Sequence, residues 1–480
     1  MKTDLIEKAY SSEYFREEAY KLIDCMAACM DQITTSEHNP TISWTSPEEQ
    51  LKFWENDMKQ QPTDELDTFW KNVFAHSINN HSRGYMGHQL AVTPALTVLT
   101  GAAISFLNNS TTVYEIGMTA NAMEKTVLNY LAEKFGYAKE STGVVTSGGS
   151  LGNLTALITA RTSSGVPEKD YSRLAIIVSE EAHYSVARAA EIMGIPSENI
   201  FKVESDSSHR IVTNMLESIY QYAIGQNKIV FCVIGCAGTT AAGAYDDLNK
   251  MADFAEKHNI WFHVDGAHGA AVVFSDKYRY LINGIERSDS LVMDFHKMLM
   301  APAISTAVIY NSRKRKINEF SPSAAYLWQN QQSEEWYNSA KHTLECTKPI
   351  TILHTYAILK RYGDELYNQH VTYLYDLGRK FANMASAREN FELEEEPESN
   401  IVCFRYVPFH SELSENEISK LNADIYQKLI EDGEFYIVNT NLKGKFYLRV
   451  SLMNPLTQIE DIKNLLDKIE KIADTVISKR

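Results

Sequence analysis

The chain has 480 residues, of which 44% are hydrophobic and 22% charged, the usual balance of a folded protein with one large domain and one or two smaller ones. Its net charge of -16 argues against binding nucleic acid or an anionic membrane through its overall field. No apolar run is long enough to predict a membrane span, and the first residues lack the pattern of a secretory signal.

The cysteines indicate a reducing compartment. Six cysteines in 480 residues, mostly within apolar strings, suggest free thiols, so we expect a cytoplasmic protein. Cys25/Cys29 and Cys232/Cys236 are each four residues apart, but a metal site would need further ligands nearby, and no metal is expected.

The amino-terminal region, residues 1–80, is predicted to be helical. Ile23, Met26 and Met30 recur at helical spacing within it.

Residues 81–370 are predicted to form a large α/β domain. Short β-rich runs alternate there with helix-length segments, which indicates a mainly parallel sheet covered on both faces. The runs are 143–146, 174–178, 229–234, 260–264, 290–293 and 304–309, and the helical segments are 151–162, 183–194, 211–224 and 246–258.

Residues 371–480 are predicted to form a small α+β domain. Strands are expected at 401–406 and 446–452, and helices at about 415–432 and 457–477. No Pro- or Gly-rich linker marks the boundary near 370.

A glycine-rich segment, Thr146-Ser-Gly-Gly-Ser-Leu-Gly-Asn153, follows the first of these strands and precedes a helix. Glycines let the backbone approach an anion, and a helix N-terminus offers unpaired N–H groups with a partial positive charge. The segment therefore predicts a phosphate site, although an ordinary capped turn would have the same composition.

A second segment, His263-Val-Asp-Gly-Ala-His268, follows another buried strand. An Asp at this place suits a partner for a pyridinium nitrogen, because a carboxylate keeps such a ring protonated and electron-accepting. An N-cap role for Asp265 is the alternative. A metal site of His263, Asp265 and His268 is weaker, since His268 lies beyond the turn.

Lys297 ends a third segment, Asp294-Phe-His-Lys297, which also follows a β-run. Lysine is seldom buried without a role, and a desolvated lysine readily forms a Schiff base. A lysine that reaches to the surface is the alternative. His183, after the strand that ends near Val178, could stack on a cofactor ring or be structural.

In this order the motifs resemble those of the amino-acid decarboxylases that depend on pyridoxal 5′-phosphate (PLP), the glutamate/aromatic-amino-acid or group II family. The matching segments are TSGGSLGN at 146–153, EEAHYSV at 180–186, GTTAAGAYDD at 238–247, HVDGAHGA at 263–270, DFHKMLMAP at 294–302 and RVSLMNP at 449–455. The resemblance implies the PLP fold-type I architecture, aspartate aminotransferase-like, with a seven-stranded sheet, and a homodimer.

The resemblance also implies a role for each matched residue. Lys297 carries the cofactor, Asp265 pairs with its ring nitrogen, and His183 and Ala267 lie on opposite ring faces. The residues implied in binding the phosphate or the ring edge are Gly149, Ser150, Thr240, Asp294 and His296. In the aromatic branch an Asn stands at the position of Asp294, which puts its contact with a phosphate in doubt.

Four further positions concern the substrate. Tyr337 matches a mobile-loop tyrosine of glutamate decarboxylases that returns a proton to Cα, and the polar segment 329–341 is expected to be mobile. A surface residue with no role is the alternative for Tyr337. Arg449 matches a proposed carboxylate-binding arginine, and His88 and Gln89 match the region that lines the substrate pocket.

The implied reaction is decarboxylation of an L-amino acid to its amine, with an acidic, aromatic or diamino acid as substrate. A decarboxylation-dependent oxidative deaminase is one alternative, but that subgroup typically has Phe in place of the loop tyrosine. Other fold-type I reactions and a non-catalytic PLP-binding protein are the remaining alternatives. The intact set of Lys297, Asp265 and His183 argues against the last.

Overall fold

A computed structural model describes residues 4–35, 40–62, 65–311, 320, 335–410 and 412–478. Contacts divide the chain into two compact units. The first is made of Met1–His88, Met384–Glu392 and Phe404–Arg480, and the second of Gln89–Asn383 and Leu393–Cys403. The predicted domain boundaries near 80 and 370 stay a prediction.

The amino-terminal part of the first unit is helical, as predicted. Its helices are α1 (Asp4–Ala9), α2 (Ser12–Thr35), α3 (Pro47–Met58) and α4 (Asp67–Ala75). Helix α3 begins with a capping box: Ser46 Oγ accepts from the Glu49 N–H at 3.2 Å, and the Glu49 carboxylate accepts from the Ser46 N–H at 3.1 Å. Pro47 follows at the first helical position, where its missing N–H is not needed.

The second unit contains a seven-stranded sheet. Its strands are β1 (Thr142–Thr146), β2 (Leu174–Ser179), β3 (Ile200–Val203), β4 (Ile229–Cys236), β5 (Trp261–Asp265), β6 (Ser290–Asp294) and β7 (Thr306–Tyr310). They lie in the order β1-β7-β6-β5-β4-β2-β3. The neighbours from β3 to β6 are parallel, whereas β7 is antiparallel to both β1 and β6, so the predicted mainly parallel sheet is confirmed.

The direction of the strands determines where the loops meet. Two successive antiparallel pairings restore direction, so β1 runs the same way as β6. The carboxyl ends of β1, β2, β4, β5 and β6 therefore lie at one edge of the sheet, where open α/β sheets bind ligands.

The second unit also contains helices, some of which pack directly on its sheet. They are α5 (Ala95–Leu107), α6 (Tyr114–Lys134), α7 (Gly149–Ser164), α8 (Tyr184–Ile192), α9 (Leu216–Gly225), α10 (Leu248–His258), α11 (Ile352–Tyr362) and α12 (Glu365–Ser386), the last of which continues into the first unit. Helix α7 packs against β6, β7 and β4, and most of its residues from 152 to 160 are buried. This close packing fixes the start of α7 relative to the ends of the strands.

The remaining elements include the second, four-stranded sheet. They are β8 (Phe391–Leu393), β9 (Ile401–Tyr406), α13 (Glu415–Asp432), β10 (Val438–Leu442), β11 (Lys445–Ser451) and α14 (Ile459–Ile477). The sheet order is β10-β11-β9-β8. Lys443 and Gly444 both have positive φ, as a tight turn between β10 and β11 requires.

Among the helices of the described residues, none is both long and apolar enough to cross a membrane.

Candidate active site

Loops at the carboxyl edge of the seven-stranded sheet enclose a cavity of about 320 Å³ within the second unit. The lining residues come from the loops after β1, β2, β4, β5 and β6, together with Gln89 and Ile304. They are Gln89, Ser147, Gly148, Gly149, Ser150, Asn153, His183, Ser185, Cys236, Gly238, Thr239, Thr240, Asp265, Ala267, His268, Asp294, His296, Lys297 and Ile304.

The glycine-rich turn between β1 and α7 forms one wall. Gly148 has φ of 108°, a conformation that L-residues with a side chain rarely adopt. A Cβ on Gly149 would lie 3.1 Å from Asp294 Oδ1, so a side chain there would crowd the cavity. Because α7 begins at Gly149, its first N–H groups lie at this wall and favour an anion.

An ion pair lies on another wall. Lys297 Nζ is 2.9 Å from Asp294 Oδ2, and Thr306 donates a hydrogen bond to the other oxygen of that carboxylate. His296 Nε2 is 3.7 Å from Asp294, and its Nδ1 lies 2.9 Å from the Ser305 carbonyl oxygen. Burial raises the pKa of Asp294, but the charges of Lys297 and His296 outweigh it and hold that pKa below the ordinary value.

Asp265, at the end of β5, and His183, in the loop after β2, both line the cavity. Asp265 Oδ2 accepts from Asn153 Nδ2 at 2.9 Å, and Oδ1 accepts from the Ala267 N–H at 3.2 Å. His183 Nδ1 lies 2.7 Å from Ser185 Oγ. Burial lowers the pKa of His183 more than the Asp265 carboxylate raises it, so the imidazole is neutral near pH 7.

Ten of the predicted site residues therefore meet at one cavity. Nine were predicted as cofactor or catalytic residues, namely Gly149, Ser150, His183, Thr240, Asp265, Ala267, Asp294, His296 and Lys297, and the tenth is Gln89. Gln89 Nε2 is buried and has no hydrogen-bond partner among the described residues, so it is available to a ligand.

Three predicted residues are not among those that line this cavity. Tyr337 packs edge-on against Tyr114 and Trp336, with ring centroids 5.7 and 5.6 Å away. Residues 329–334 of the predicted mobile segment lie outside the described residues. His88 and Arg449 belong to the first unit, and Arg449 is buried on β11. The partial burial of His88 and the positive charge of Arg449 lower the pKa of His88.

Asn153 and Ser185, to which the sequence motifs assign no role, also line the cavity. Asn153 lies at the end of the glycine-rich segment, and Ser185 lies two residues after His183. The sequence does contain a signal for Asn153, because a polar residue near the start of a buried helix needs a hydrogen-bond partner. His263 forms hydrogen bonds with Ser290 and Asn153. Within the described residues, no group of three or more His, Cys, Asp or Glu side chains could hold a metal ion.

Comparison with known families gives one match over most of the chain. Residues 47–407 match the family described as the pyridoxal-dependent decarboxylase conserved domain.

Individual relatives act on different amino acids. An aromatic-L-amino-acid decarboxylase of Bacillus atrophaeus is 27% identical over 472 residues, which cover 97% of this chain and 97% of the relative. An acidic amino acid decarboxylase of Homo sapiens is 28% identical, over 96% of this chain and 91% of the relative. In both cases the match extends along nearly the whole of this chain and of the relative.

A solved structure has the same fold. It is the glutamate decarboxylase domain of diaminobutyrate-pyruvate transaminase and L-2,4-diaminobutyrate decarboxylase from Vibrio parahaemolyticus, with a TM-score of 0.83 and 23% identity. The likeness covers 99% of this chain and 97% of that structure, and it bears on the fold alone.

Proposed function

This chain belongs to the family of pyridoxal-dependent decarboxylases, and we propose how the residues around its cavity carry out the reaction. The chain is an amino-acid carboxy-lyase, and PLP is its cofactor. The single observation that supports the proposal best is that Lys297, Asp265, His183 and the start of α7 line one cavity.

The residues of the cavity fit PLP. A volume of about 320 Å³ suits a small ligand. Gly148 and Gly149 keep the wall at the start of α7 free of side chains, and the N–H groups there suit a phosphate. Lys297 supplies an amine and Asp265 a carboxylate to the same space.

We assign the cofactor contacts as follows. Lys297 would hold the cofactor through its amine, Asp265 would hold a proton on the ring nitrogen, and His183 and Ala267 would contact the ring. Gly149, Ser150, Thr240 and His296 bind the phosphate or the ring edge. Asp294 contributes through Lys297, to which it is ion-paired at 2.9 Å, and not through a contact with the phosphate.

When bound, PLP supplies an electron-accepting ring that takes the electron pair left at Cα as CO₂ departs. Asp265 keeps that ring protonated at nitrogen, so it supports the step in which charge moves. Gln89 donates its unpaired Nε2–H to the substrate. Tyr337 returns a proton to Cα, and Arg449 and His88 bind the substrate carboxylate or side chain.

The first experiment tests the cofactor and the reaction together. The purified chain should bind one PLP, absorb in the visible range and release CO₂ from an amino acid. Lys297→Ala should lose the absorbance of the bound cofactor and nearly all turnover. Lys250→Ala is a matched control, because Lys250 also pairs with an Asp three residues earlier, at 3.0 Å, but on the exposed start of α10. A yellow, active Lys297→Ala protein would overturn the proposal.

The second experiment identifies the substrate. The relatives act on aromatic and acidic amino acids. An L-2,4-diaminobutyrate decarboxylase of Acinetobacter baumannii is also 27% identical to this chain. Release of CO₂ from the twenty standard amino acids, ornithine and 2,4-diaminobutyrate should identify one of these three classes.

We also propose that the enzyme is a homodimer in which α5 is covered by the second copy. Helix α5 is mostly apolar, yet Thr97 is its only buried residue in the single chain, and Phe106 is 80% exposed. Such an apolar surface is typical of an interface. Light scattering should give twice the mass of one chain, and Phe106→Asp should lower it, whereas Phe409→Asp, at another exposed Phe, should not.

We propose a cytoplasmic location as well. Each of the six cysteines is a free thiol, which suits a reducing compartment. Fractionation of the source cells, with antibodies to this chain, tests it.

A further inference from the structure

Asn153 is the centre of a buried hydrogen-bond network to which the proposed reaction gives no role. Its side chain is 1% exposed. Nδ2 lies 2.9 Å from Asp265 Oδ2 and 3.0 Å from Ser185 Oγ, and Oδ1 lies 3.1 Å from His263 Nε2. One amide thus connects β5, which carries His263 and Asp265, with the start of α8, which carries Ser185.

The carboxylate of Asp265 fixes the orientation of this amide. An ionised carboxylate only accepts hydrogen bonds, so Nδ2 must face Asp265; the reversed amide would bring two oxygens together. Both hydrogens of Nδ2 are then used, one on Asp265 and one on Ser185 Oγ. The amide has no other arrangement that satisfies all of these contacts.

Ser185, which Asn153 holds, in turn fixes the proton of His183. Ser185 Oγ accepts from Asn153 Nδ2 and lies 2.7 Å from His183 Nδ1. The Ser185 backbone N–H points to the same nitrogen at 3.3 Å. Nδ1 therefore accepts, and a neutral His183 carries its hydrogen on Nε2.

The hydrogen bonds around His263 agree with this orientation of the Asn153 amide. The Trp261 indole can only donate, and it donates to Ser290 Oγ at 2.8 Å. Asn153 Oδ1 can only accept, so His263 Nε2 donates to it at 3.1 Å, while His263 Nδ1 lies 2.8 Å from Ser290 Oγ. Burial lowers the pKa of His263 to about 4, so this ring is neutral and has one hydrogen to give.

We propose that Asn153 is a positioning residue that holds the Asp265 carboxylate and, through Ser185, makes His183 a hydrogen-bond donor at Nε2. This inference rests on the proposed function, in which Asp265 and His183 contact the cofactor. A neutral His183 can therefore donate a hydrogen bond from Nε2 to an oxygen in the cavity. Because Nε2 already carries a hydrogen, this nitrogen cannot accept a proton.

Two substitutions of Asn153 separate positioning from space filling. Asn153→Asp keeps the shape but puts a carboxylate oxygen against Asp265, whereas Asn153→Ala leaves a cavity without a new charge. If Asn153 positions Asp265, the Asp variant should weaken PLP binding by at least about tenfold and by more than the Ala variant does, because like charges in contact oppose each other. A space-filling residue predicts the reverse order.

Asn199 provides the matched control. It is fully buried, and its Nδ2 also donates to two acceptors, the carbonyls of Ser172 at 3.1 Å and Leu174 at 2.9 Å, but it does not line the cavity. Asn199→Asp should lower the thermal midpoint while the PLP dissociation constant stays the same; Asn199→Ala replaces it if the Asp variant does not fold. A loss of PLP affinity in this control equal to that in Asn153→Asp would overturn the inference.

Ser185→Ala tests the branch to His183 alone. The contact between Asn153 and Asp265 remains, so the PLP dissociation constant should change by less than about threefold, while kcat should fall about tenfold, the effect of one lost hydrogen bond. In an Asn153→Ala background Ser185→Ala should cause no further fall in kcat, since the path is already broken. Independent, multiplying losses contradict the coupling.

The wild-type chain is measured first, so that failure of the proposed function can be distinguished from failure of the positioning role of Asn153. If it binds no PLP or releases no CO₂, the proposed function fails and the inference fails with it. If the wild type is active and Asn153→Ala is worse than Asn153→Asp, or both keep wild-type affinity, only the role of Asn153 is wrong.

Discussion

The Asp265 carboxylate accepts two hydrogen bonds, one from the Asn153 side-chain amide and one from the Ala267 backbone N–H. Asp265→Asn keeps the size of the side chain but removes the charge that keeps a ring nitrogen protonated. We expect the variant to fold and to bind PLP, with kcat lower by on the order of 10³-fold, equivalent to several kcal/mol of barrier. Turnover and thermal melting of the same preparation check this, and near-normal turnover would mean that the ring lies elsewhere.

Tyr337 gives the prediction with the most distinctive product. Loss of CO₂ precedes the return of a proton to Cα, so Tyr337→Phe should still release CO₂. The electron pair at Cα would then be exposed to oxygen for longer, and the product should shift from the amine towards the aldehyde with release of ammonia. Amine and aldehyde are measured side by side with isotopically labelled substrate.

Tyr114 is a suitable control for that experiment, because its ring packs edge-on against Tyr337. Tyr114→Phe keeps this packing and should leave the product unchanged. Wild-type amine production without aldehyde in Tyr337→Phe would assign the proton to another donor, and the Nε2–H of His183 is the first to test.

Among single residues, the sequence predicts those that would contact the cofactor better than those that position them. Lys297 and Asp265 are recognisable because each ends a strand-derived motif, and both line the cavity. Asn153 acts through hydrogen bonds to Ser185 and Asp265, which are 32 and 112 positions away in the sequence. Partners of that kind depend on how strands are ordered in the sheet, which no local pattern contains.

The turn from β1 to α7 is an element whose backbone is required by the site. Gly148→Ala places a side chain at φ of 108° and should destabilise the protein by about 1–3 kcal/mol. Gly149→Ala places Cβ 3.1 Å from Asp294, so that carboxylate and its partner Lys297 must shift. We expect both variants to bind PLP at least about tenfold more weakly, as measured by titration of the apoprotein.

Gly225 is the control for these two glycines. It ends α9, its φ is not positive, and a Cβ there meets nothing within 4 Å. Gly225→Ala should leave PLP affinity unchanged and raise stability by about 0.5 kcal/mol, since alanine has less backbone freedom to lose. Unchanged PLP affinity in Gly148→Ala and Gly149→Ala would show that this turn does not form the cofactor wall.

The elements that were predicted well are those with strong patterns. The apolar runs of β2, β4 and β6 and the periodic helix α13 match the structure within two residues, because burial on both faces or on one face leaves a clear signature. Strands β3, β8 and β10 were missed. They are short or mixed in polarity. Strand β10, Val438-Asn-Thr-Asn-Leu442, has three polar residues in its middle and only its ends are buried, so its pairing with β11 and not its composition makes it a strand.

For the whole molecule, buried ionisable groups set the response to acid. Burial lowers the pKa of His263 and of His370 from 6.5 to about 4. Each therefore contributes stability that is full above pH 6.5 and is lost as the pH falls towards 4, because only the unfolded chain takes up the proton in that window. For a fully buried imidazole the loss is about 3 kcal/mol.

Asp246 acts in the opposite sense. Burial raises its pKa from 3.8 to about 6, although the N–H groups of Ile211 and Cys236 donate to its two oxygens. The folded chain therefore takes up this proton before the unfolded chain does, and stability gains from Asp246 as the pH falls from 6 towards 3.8. Burial also lowers the pKa of His354 to about 4, so three histidines against one aspartate predict a net loss of stability in acid.

Two variants separate these opposing contributions. Between about pH 7.5 and about pH 5, His370→Phe should lose about 2 kcal/mol less free energy of unfolding than the wild type, since one titrating imidazole is gone. Asp246→Asn should lose about 1 kcal/mol more over the same range, because the stabilising proton uptake is removed. Urea unfolding at both pH values gives the difference for each protein, so a uniform loss of stability from either substitution cancels. Equal pH differences in all three proteins would show that these two buried groups do not set the acid response, whereas opposite changes in the two variants would assign it to them.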